Sequence, residues 1–352
     1  MHCFVDISSH GYGHLAITAP VLNAFSDFGP DFRLTVRSAL PEAKLRQRIR
    51  VPFEWLPTAS DFGYVMHDAT RIDLPASAAA YRAAHRCWAQ RVEDETLLLR
   101  QLQPDVVLTS VSYLPLAGAR RAGIPAFALC SLNWADLFAH YFGSEDWAAA
   151  IHAEMLAAYR GAEAFLRVTP GMPMPAIENL EPIAPIATLG RRHDLGLGEA
   201  RTVLIAMGGI AHRLPVENWP RLRGIRWLVP ADWACHHPDA LPWESFGLGF
   251  TDLLCSVDAV LTKPGYGTFT EAACNGTPVL YQRRDDWPEQ ACLIAWLATH
   301  GRSGEVTPEQ IRKGNLADAL AALWAQDVPP VPLPAGARQA AERIRSAGSR
   351  SA

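Results

Sequence analysis

The sequence is poor in lysine. Only three of its 32 basic residues are lysine (Lys44, Lys263 and Lys313), and the rest are arginine. Each lysine is therefore worth locating. The seven cysteines (Cys3, Cys87, Cys130, Cys235, Cys255, Cys274 and Cys292) contain no CxxC pair. Their odd number suits a reducing compartment better than a disulfide framework. Cys235-His236-His237 is the one local run of metal-ligand types, and no second cluster accompanies it, so no metal site is expected. No apolar run approaches the ~20 residues that a spanning helix needs. The N-terminus lacks a basic region followed by a long apolar core, so no signal peptide is expected. Excess positive charge is missing too: 36 acidic residues face 32 basic ones. That argues weakly against a nucleic-acid partner or a polybasic membrane anchor. The expectation is a cytoplasmic protein with no transmembrane segment. No repeat of 20–50 residues is visible, which argues against a solenoid.

What the chain does have is enough apolar content for ordinary cores. It holds 352 residues, of which 49% are apolar and 19% charged. At about 150 residues per domain this implies two domains. Short apolar runs alternate with helical patterns, which predicts an α/β fold with parallel sheets. Strands are expected at residues 3–7, 32–36, 105–108, 126–130, 202–206, 225–229, 259–262 and 278–282. Helices are expected after residue 14, over 41–50, as one long element over 76–103, and from about 269. Five prolines (Pro170, Pro173, Pro175, Pro182 and Pro185) interrupt the alternation. Proline at that density stiffens an extended connection. The expected division is a first domain at 1–167, a proline-rich linker region at 168–192, a second domain at 193–330 and a helical tail at 331–352.

Three loops place glycine at the carboxyl end of an expected strand, the edge where open α/β sheets bind ligands. In Leu261-Thr262-Lys263-Pro264-Gly265-Tyr266-Gly267-Thr268-Phe269-Thr270-Glu271, the backbone at Gly265, Tyr266 and Gly267 can approach a ligand closely and Lys263 can meet a phosphate. Thr268 can bind an oxygen and Glu271 can accept hydrogen bonds from ribose hydroxyls. A capping box, with Thr268 as N-cap and Glu271 at N3, fits the spacing equally well. Gly208 and Gly209 form a second turn. His10-Gly11-Tyr12-Gly13-His14 forms a third, and an imidazole there can take a proton near neutral pH.

These segments resemble the GT-B glycosyltransferases that use nucleotide sugars, and over residues 258–293 the glycosyltransferase-like half of L-arabinokinases in particular. The resemblance implies a GT-B fold, two Rossmann-like domains facing across a cleft. It implies that Gly208, Gly209, Lys263, Gly265, Tyr266, Gly267, Thr268 and Glu271 hold the diphosphate and ribose of the donor. Asp285 shares a loop with Glu289 and Gln290, which match the pair that binds the donor sugar. His14 falls on the position of the general base, with His10 as its neighbour. Gly11, Gly13, Asn133 and Asp136 belong to the acceptor side, although Asn133 and Asp136 also read as an ordinary helix start. One departure stands out. The family often orients its histidine with an aspartate, and this sequence has Ser110 at that position, leaving the dyad absent, supplied by Asp6, or replaced by another base.

The implied reaction is metal-independent, inverting transfer of a sugar from a nucleotide diphosphate-sugar, a UDP-sugar in the first instance, to a small-molecule or glycan acceptor, with no cofactor. The alternatives are a non-catalytic nucleotide-sugar-binding protein and a hydrolase or epimerase on the same fold.

Overall fold

A computed structural model describes residues 1–28, 32–210 and 212–348. The chain divides into two compact units. Met1–His67, Ile72–Ile186 and the chain from Ala335 onward form the first, and Asp68–Arg71 with Ala187–Pro334 forms the second.

Among the described residues, the first unit holds seven strands: β1 (His2–Asp6), β2 (Arg33–Arg37), β3 (Glu54–Leu56), β4 (Val106–Thr109), β5 (Ala126–Cys130), β6 (Ala164–Val168) and β7 (Leu180–Ile183). They pair in parallel in the order β3-β2-β1-β4-β5-β6-β7. Its helices are α1 (Tyr12–Ala24), α2 (Glu42–Arg48), α3 (Leu74–Arg86), α4 (Trp88–Leu102), α5 (Leu114–Ala122), α6 (Trp134–Phe142) and α7 (Ala148–Arg160). The central strands β1, β4 and β5 are buried along their whole length. Their apolar runs therefore do not alternate, as expected for parallel strands covered on both faces.

The second unit repeats this plan with β8 (Arg201–Ala206), β9 (Ile225–Val229), β10 (Ala240–Pro242), β11 (Ala259–Thr262), β12 (Val279–Tyr281) and β13 (Ser303–Glu305), in the order β10-β9-β8-β11-β12-β13. The helices are α8 (Phe250–Ser256), α9 (Tyr266–Asn275), α10 (Gln290–His300), α11 (Pro308–Lys313) and α12 (Ala317–Trp324). Trp219 and Trp227 meet edge to face in its core, with ring centroids 4.9 Å apart. The last helix, α13 (Gly336–Gly348), belongs to the first unit and packs on α1. That second cover explains why α1 is buried almost all round. The expected tail reaches beyond this helix into residues 349–352, which lie outside the described residues.

In both sheets the strand order reverses beside the first strand of the unit, between β1 and β4 and between β8 and β11. That reversal opens a crevice at the carboxyl edge, where doubly wound sheets bind nucleotides.

Three local expectations need correction. The helix expected over 76–103 is two helices, because Cys87 leaves the helical region at φ −117° and ψ 35°. The turn lets α3 bury Tyr81 and His85 while α4 buries Glu95, Thr96 and Leu99 on a different face. No glycine or proline marks the break, so periodicity reads straight through it. Within the stretch read as linker, Leu180–Ile183 forms strand β7, and the second unit begins at Ala187. Proline is tolerated there because β7 is an edge strand that can spare an N–H. Helix α9 begins at Tyr266, three residues before the expected start.

Candidate functional site

In the second unit the expected donor-site loops follow β8, β11 and β12, which are adjacent parallel strands. Their carboxyl ends therefore bring residues 207–210, 263–265 and 282–290 to one edge. Gly208 has φ +94°, a conformation that side chains with a Cβ rarely adopt. A Cβ there would lie 3.6 Å from the Lys263 ammonium, and one at Gly265 would also lie 3.6 Å from it. Lys263 thus projects between the two glycine turns. Ala211, in the segment after Gly209, lies outside the described residues.

The capping box is not formed. The N-cap of α9 is Gly265, which offers no side chain, and Thr268 sits at the third helical position instead. No acidic residue occupies the first turn. The leading N–H groups of Tyr266, Gly267 and Thr268 lack intrahelical acceptors, and the macrodipole adds partial positive charge. Beside them, burial pushes the Lys263 amine down to about 7, the nearby Arg284 charge adds to the fall, and Glu289 opposes it. Two cations and an uncapped helix start therefore share this edge, which is an anion-binding arrangement.

The loop after β12 is closed on itself. Gln290 accepts from the Arg284 N–H at 3.0 Å and donates to the Arg284 carbonyl at 3.1 Å. Its amide shapes the loop. Glu289 is buried and accepts from Trp287 Nε1 at 2.9 Å. The Arg284 guanidinium stacks on the Trp287 ring at 3.7 Å. Asp285 is exposed, and Glu271 is buried at 1% exposure. Arg213, a conceivable phosphate ligand, is taken by Glu217 and by the Trp233 carbonyl. Both ring nitrogens of His237 bond to backbone, at Trp219 and Asp239, so the Cys235-His236-His237 run does not present that imidazole to an ion.

In the first unit the corresponding edge carries His10, Gly11, Gly13 and His14. Gly11 is extended and is the N-cap of α1, again without a capping side chain. A Cβ at Gly11 or Gly13 would meet nothing within 4 Å, so the loop is open at both points. His14 is buried in the first turn of α1, with Nδ1 3.8 Å from Cys130 Sγ. His10 and His14 both meet the ring of Trp134 edge-on, at 5.3 and 5.8 Å. Asn133 is the N-cap of α6, its side chain accepting from the Asp136 N–H at 2.7 Å. Asp136 lies in the first turn of that helix.

Ser110 accepts from the Ser8 N–H at 3.1 Å and so holds the base of the histidine loop. Asp6 does not serve as its substitute, because its carboxylate bonds Arg37 and Ser60. Two residues that sequence reasoning passed over stand out. Arg284 is buried beside Lys263, and its tandem Arg283-Arg284 gave no hint which of the pair turns inward. Asp61 accepts from Trp134 Nε1 at 2.7 Å, and its Oδ1 is buried without a hydrogen bond. It follows a three-residue edge strand that has no recognisable pattern.

Burial pushes the His14 imidazole down to about 4 from an ordinary 6.5. An unfolded His14 takes up its proton as pH falls through about 6.5, whereas the folded one waits until about 4. The folded state therefore loses about 3 kcal/mol across that window. Asp61 works in the opposite sense, because its raised folded value makes the native state the better proton acceptor below about 6. His14→Gln separates the two. The stability of wild type relative to the variant should fall by about 3 kcal/mol between pH 6.5 and pH 4, read by urea unfolding at each pH. A difference independent of pH would refute the buried, neutral imidazole.

No protein-family profile matches the chain. It is 25% identical over 314 residues to an L-arabinokinase of Arabidopsis thaliana, a match covering 82% of this chain and 28% of that protein. The chain therefore spans under a third of the curated relative's length. Among solved structures, a glycotransferase of kitacinnamycin superposes with a TM-score of 0.62 at 14% identity, covering 99% of this chain and 95% of that one. A UDP-N-acetylglucosamine 2-epimerase from Listeria monocytogenes gives 0.60 at 13%, covering 99% and 97%. UGT2 of Phytolacca americana, complexed with UDP-2-fluoroglucose and pterostilbene, gives 0.55 at 15%, covering 99% and 94%. The fold is thus that of the GT-B glycosyltransferases, with two Rossmann-like domains. Among the described residues no helix is long and apolar enough to cross a membrane.

Proposed function

We propose that the protein transfers a sugar from a nucleotide diphosphate-sugar to an acceptor hydroxyl. The observation that carries this reading is the uncapped start of α9, with Lys263 between the glycine turns at 208 and 265, at the strand-order reversal of the second unit. Lys263, Arg284 and the N–H groups of residues 266–268 supply positive charge where a leaving diphosphate needs it. With that charge in place the reaction is written without a metal or other cofactor. Direct attack on the anomeric carbon inverts its configuration. The UDP-sugar held by the plant transferase of the same fold makes a UDP-sugar the first donor to try. Seven free cysteines fit a reducing compartment, here the cytoplasm.

Gln290, already bonded at both ends to Arg284, is assigned to loop shape, and Asp285 and Glu289 remain the side chains for the donor sugar. The epimerase neighbour keeps a second reading alive. A panel of UDP- and dTDP-sugars, assayed with and without polyol acceptors, distinguishes the two. Nucleotide release that an acceptor accelerates, with a new glycoside as product, is expected. Acceptor-independent conversion of the donor would point to the epimerase or hydrolase alternative.

A further inference from the structure

We propose that Asp61, through Oδ1, is the group that takes the proton from the acceptor hydroxyl. The inference rests on the glycosyl-transfer reading and names its base.

The loop that carries Asp61 is held on every side. Ser60 Oγ donates to Asp6 at 2.8 Å, and Arg91 donates to the Ser60 carbonyl at 3.1 Å. Tyr81 donates to the Gly63 carbonyl at 2.8 Å. Gly63 has φ +61°, and a Cβ there would lie 2.7 Å from the His10 ring and 2.9 Å from Trp134. Only glycine lets the loop come so close to the histidine loop. Asp61 is thereby set against the residues that follow β1 and β5, at the carboxyl edge of the sheet.

Its two oxygens differ. Trp134 Nε1 fixes Oδ2 at 2.7 Å, while Oδ1 is buried and no donor meets it in good hydrogen-bond geometry, the Ser8 and Ser112 hydroxyls interacting only weakly with the carboxyl. Buried carboxylate oxygens without a well-formed hydrogen bond are rare, and an incoming hydroxyl would satisfy this one. Nearby, Asn133 Nδ2 is also buried without a hydrogen bond, while the Ser8 and Ser112 hydroxyls interact with the Asp61 carboxyl. His14 is placed less well for the task. Its Nδ1 faces the thiol of Cys130, and among the described residues no carboxylate bonds it to stabilise an imidazolium.

The surrounding charges favour the same assignment. Burial pushes the Asp61 carboxyl up to about 6, the charge of Asp6 adds to the rise, and Trp134, Ser8 and Ser112 draw it down. Arg37 is neutralised by Asp6 and Glu95, and Arg91 is engaged with backbone carbonyls. Tyr81, Tyr113 and Tyr159 are buried phenols held above their ordinary values, so they stay neutral. His10, His14 and the buried phenol of Tyr64 meet the ring of Trp134, which holds Asp61. A carboxylate of this basicity is ionised at neutral pH and still accepts a proton, whereas His14 at about 4 is the weaker base. In the step, the hydroxyl proton passes to Oδ1 and the freed electron pair forms the new bond to the anomeric carbon. The bond from that carbon to the diphosphate oxygen breaks, and its electron pair leaves on the diphosphate.

The test measures nucleotide release against pH with the best donor from a panel of UDP- and dTDP-sugars, using water and simple polyols as acceptors. Asp61→Asn should lower kcat at least ~100-fold with little change in donor KM. It should also erase the loss of activity that wild type shows as pH falls through about 6. Trp134→Phe keeps the carboxylate but removes a hydrogen bond that lowers its pKa, so the same limb should move to higher pH. If D61N misfolds, that shift carries the test. His14→Gln should lower turnover yet keep the limb. D61N with wild-type turnover and limb, or H14Q without the limb, would overturn the assignment. Calorimetry with UDP on the same proteins separates the two failures. No UDP binding by wild type would sink the transfer reading. Binding without cleavage of any donor would overturn Asp61 as base and leave the nucleotide site standing.

Discussion

Arg37→Met should destabilise the first unit by about 3–5 kcal/mol. Arg37 lies between two buried carboxylates. Its Nε donates to Asp6, and its two terminal nitrogens donate to Glu95 at 2.8 and 2.7 Å. All three side chains are almost fully buried. Burial opposes the Arg37 charge, but Asp6 and Glu95 together hold the guanidinium above its ordinary value. Burial likewise raises Glu95, against the pull of Arg37. Removing the cation leaves two carboxylates facing each other away from water, and each must take a proton or admit solvent. Urea unfolding of wild type and variant at neutral pH checks the size of the effect. Arg37→Met combined with Glu95→Leu should recover part of the loss, because it no longer leaves the Glu95 charge unpaired. The loss should also shrink on acidification, where protonated carboxyls no longer need the partner. A variant as stable as wild type would mean that the cluster is open to water. Because Ser60 hangs from Asp6, the same change should loosen the Asp61 loop.

Lys263→Ala should weaken UDP binding by one to two orders of magnitude, since a hydrogen bond to a charged group contributes about 1.5–3 kcal/mol. The lysine is partly buried between two glycine turns. Arg284 is the nearest by its effect on Lys263. The pH dependence is a second signature. An amine lowered to about 7 is partly neutral before the ligand arrives, and a bound diphosphate favours its charged form. Binding should therefore take up a proton above pH 7, and affinity should fall as pH rises there. Calorimetry in two buffers of different ionisation enthalpy reads that uptake directly. In the alanine variant the part due to Lys263 should vanish.

The central strands were legible because they are buried on both faces and read as unbroken apolar runs: residues 3–7, 105–108, 126–130 and 259–262 predict β1, β4, β5 and β11 to within a residue or so. The edges were not. β3, β10 and β13 have three residues each, and β7 and β10 contain proline, so neither length nor composition marks them as strands. At the second-unit site, the glycine turns and Lys263 were visible because their residue types are rare and their spacing is local. The bonding of Gln290 within its own loop is hidden for a related reason. An amide after a strand looks the same in sequence whether it faces a ligand or its own loop. Asp61 had no local signal at all. Its place in the fold is set by Trp134, 73 positions away, and by a glycine that lets the loop close.

One of only three lysines, Lys263, lies at the second-unit site. The central claim is that the edge holding Lys263 binds a nucleoside diphosphate. The most direct measurement is the melting temperature of the full chain against a panel of nucleosides, nucleoside monophosphates, diphosphates and diphosphate-sugars, because a ligand of the native state must stabilise it. At least one diphosphate should raise the melting temperature by several degrees, its nucleoside should not, and Lys263→Ala should abolish the rise. No response to any diphosphate, or an equal response in the alanine variant, would contradict the account.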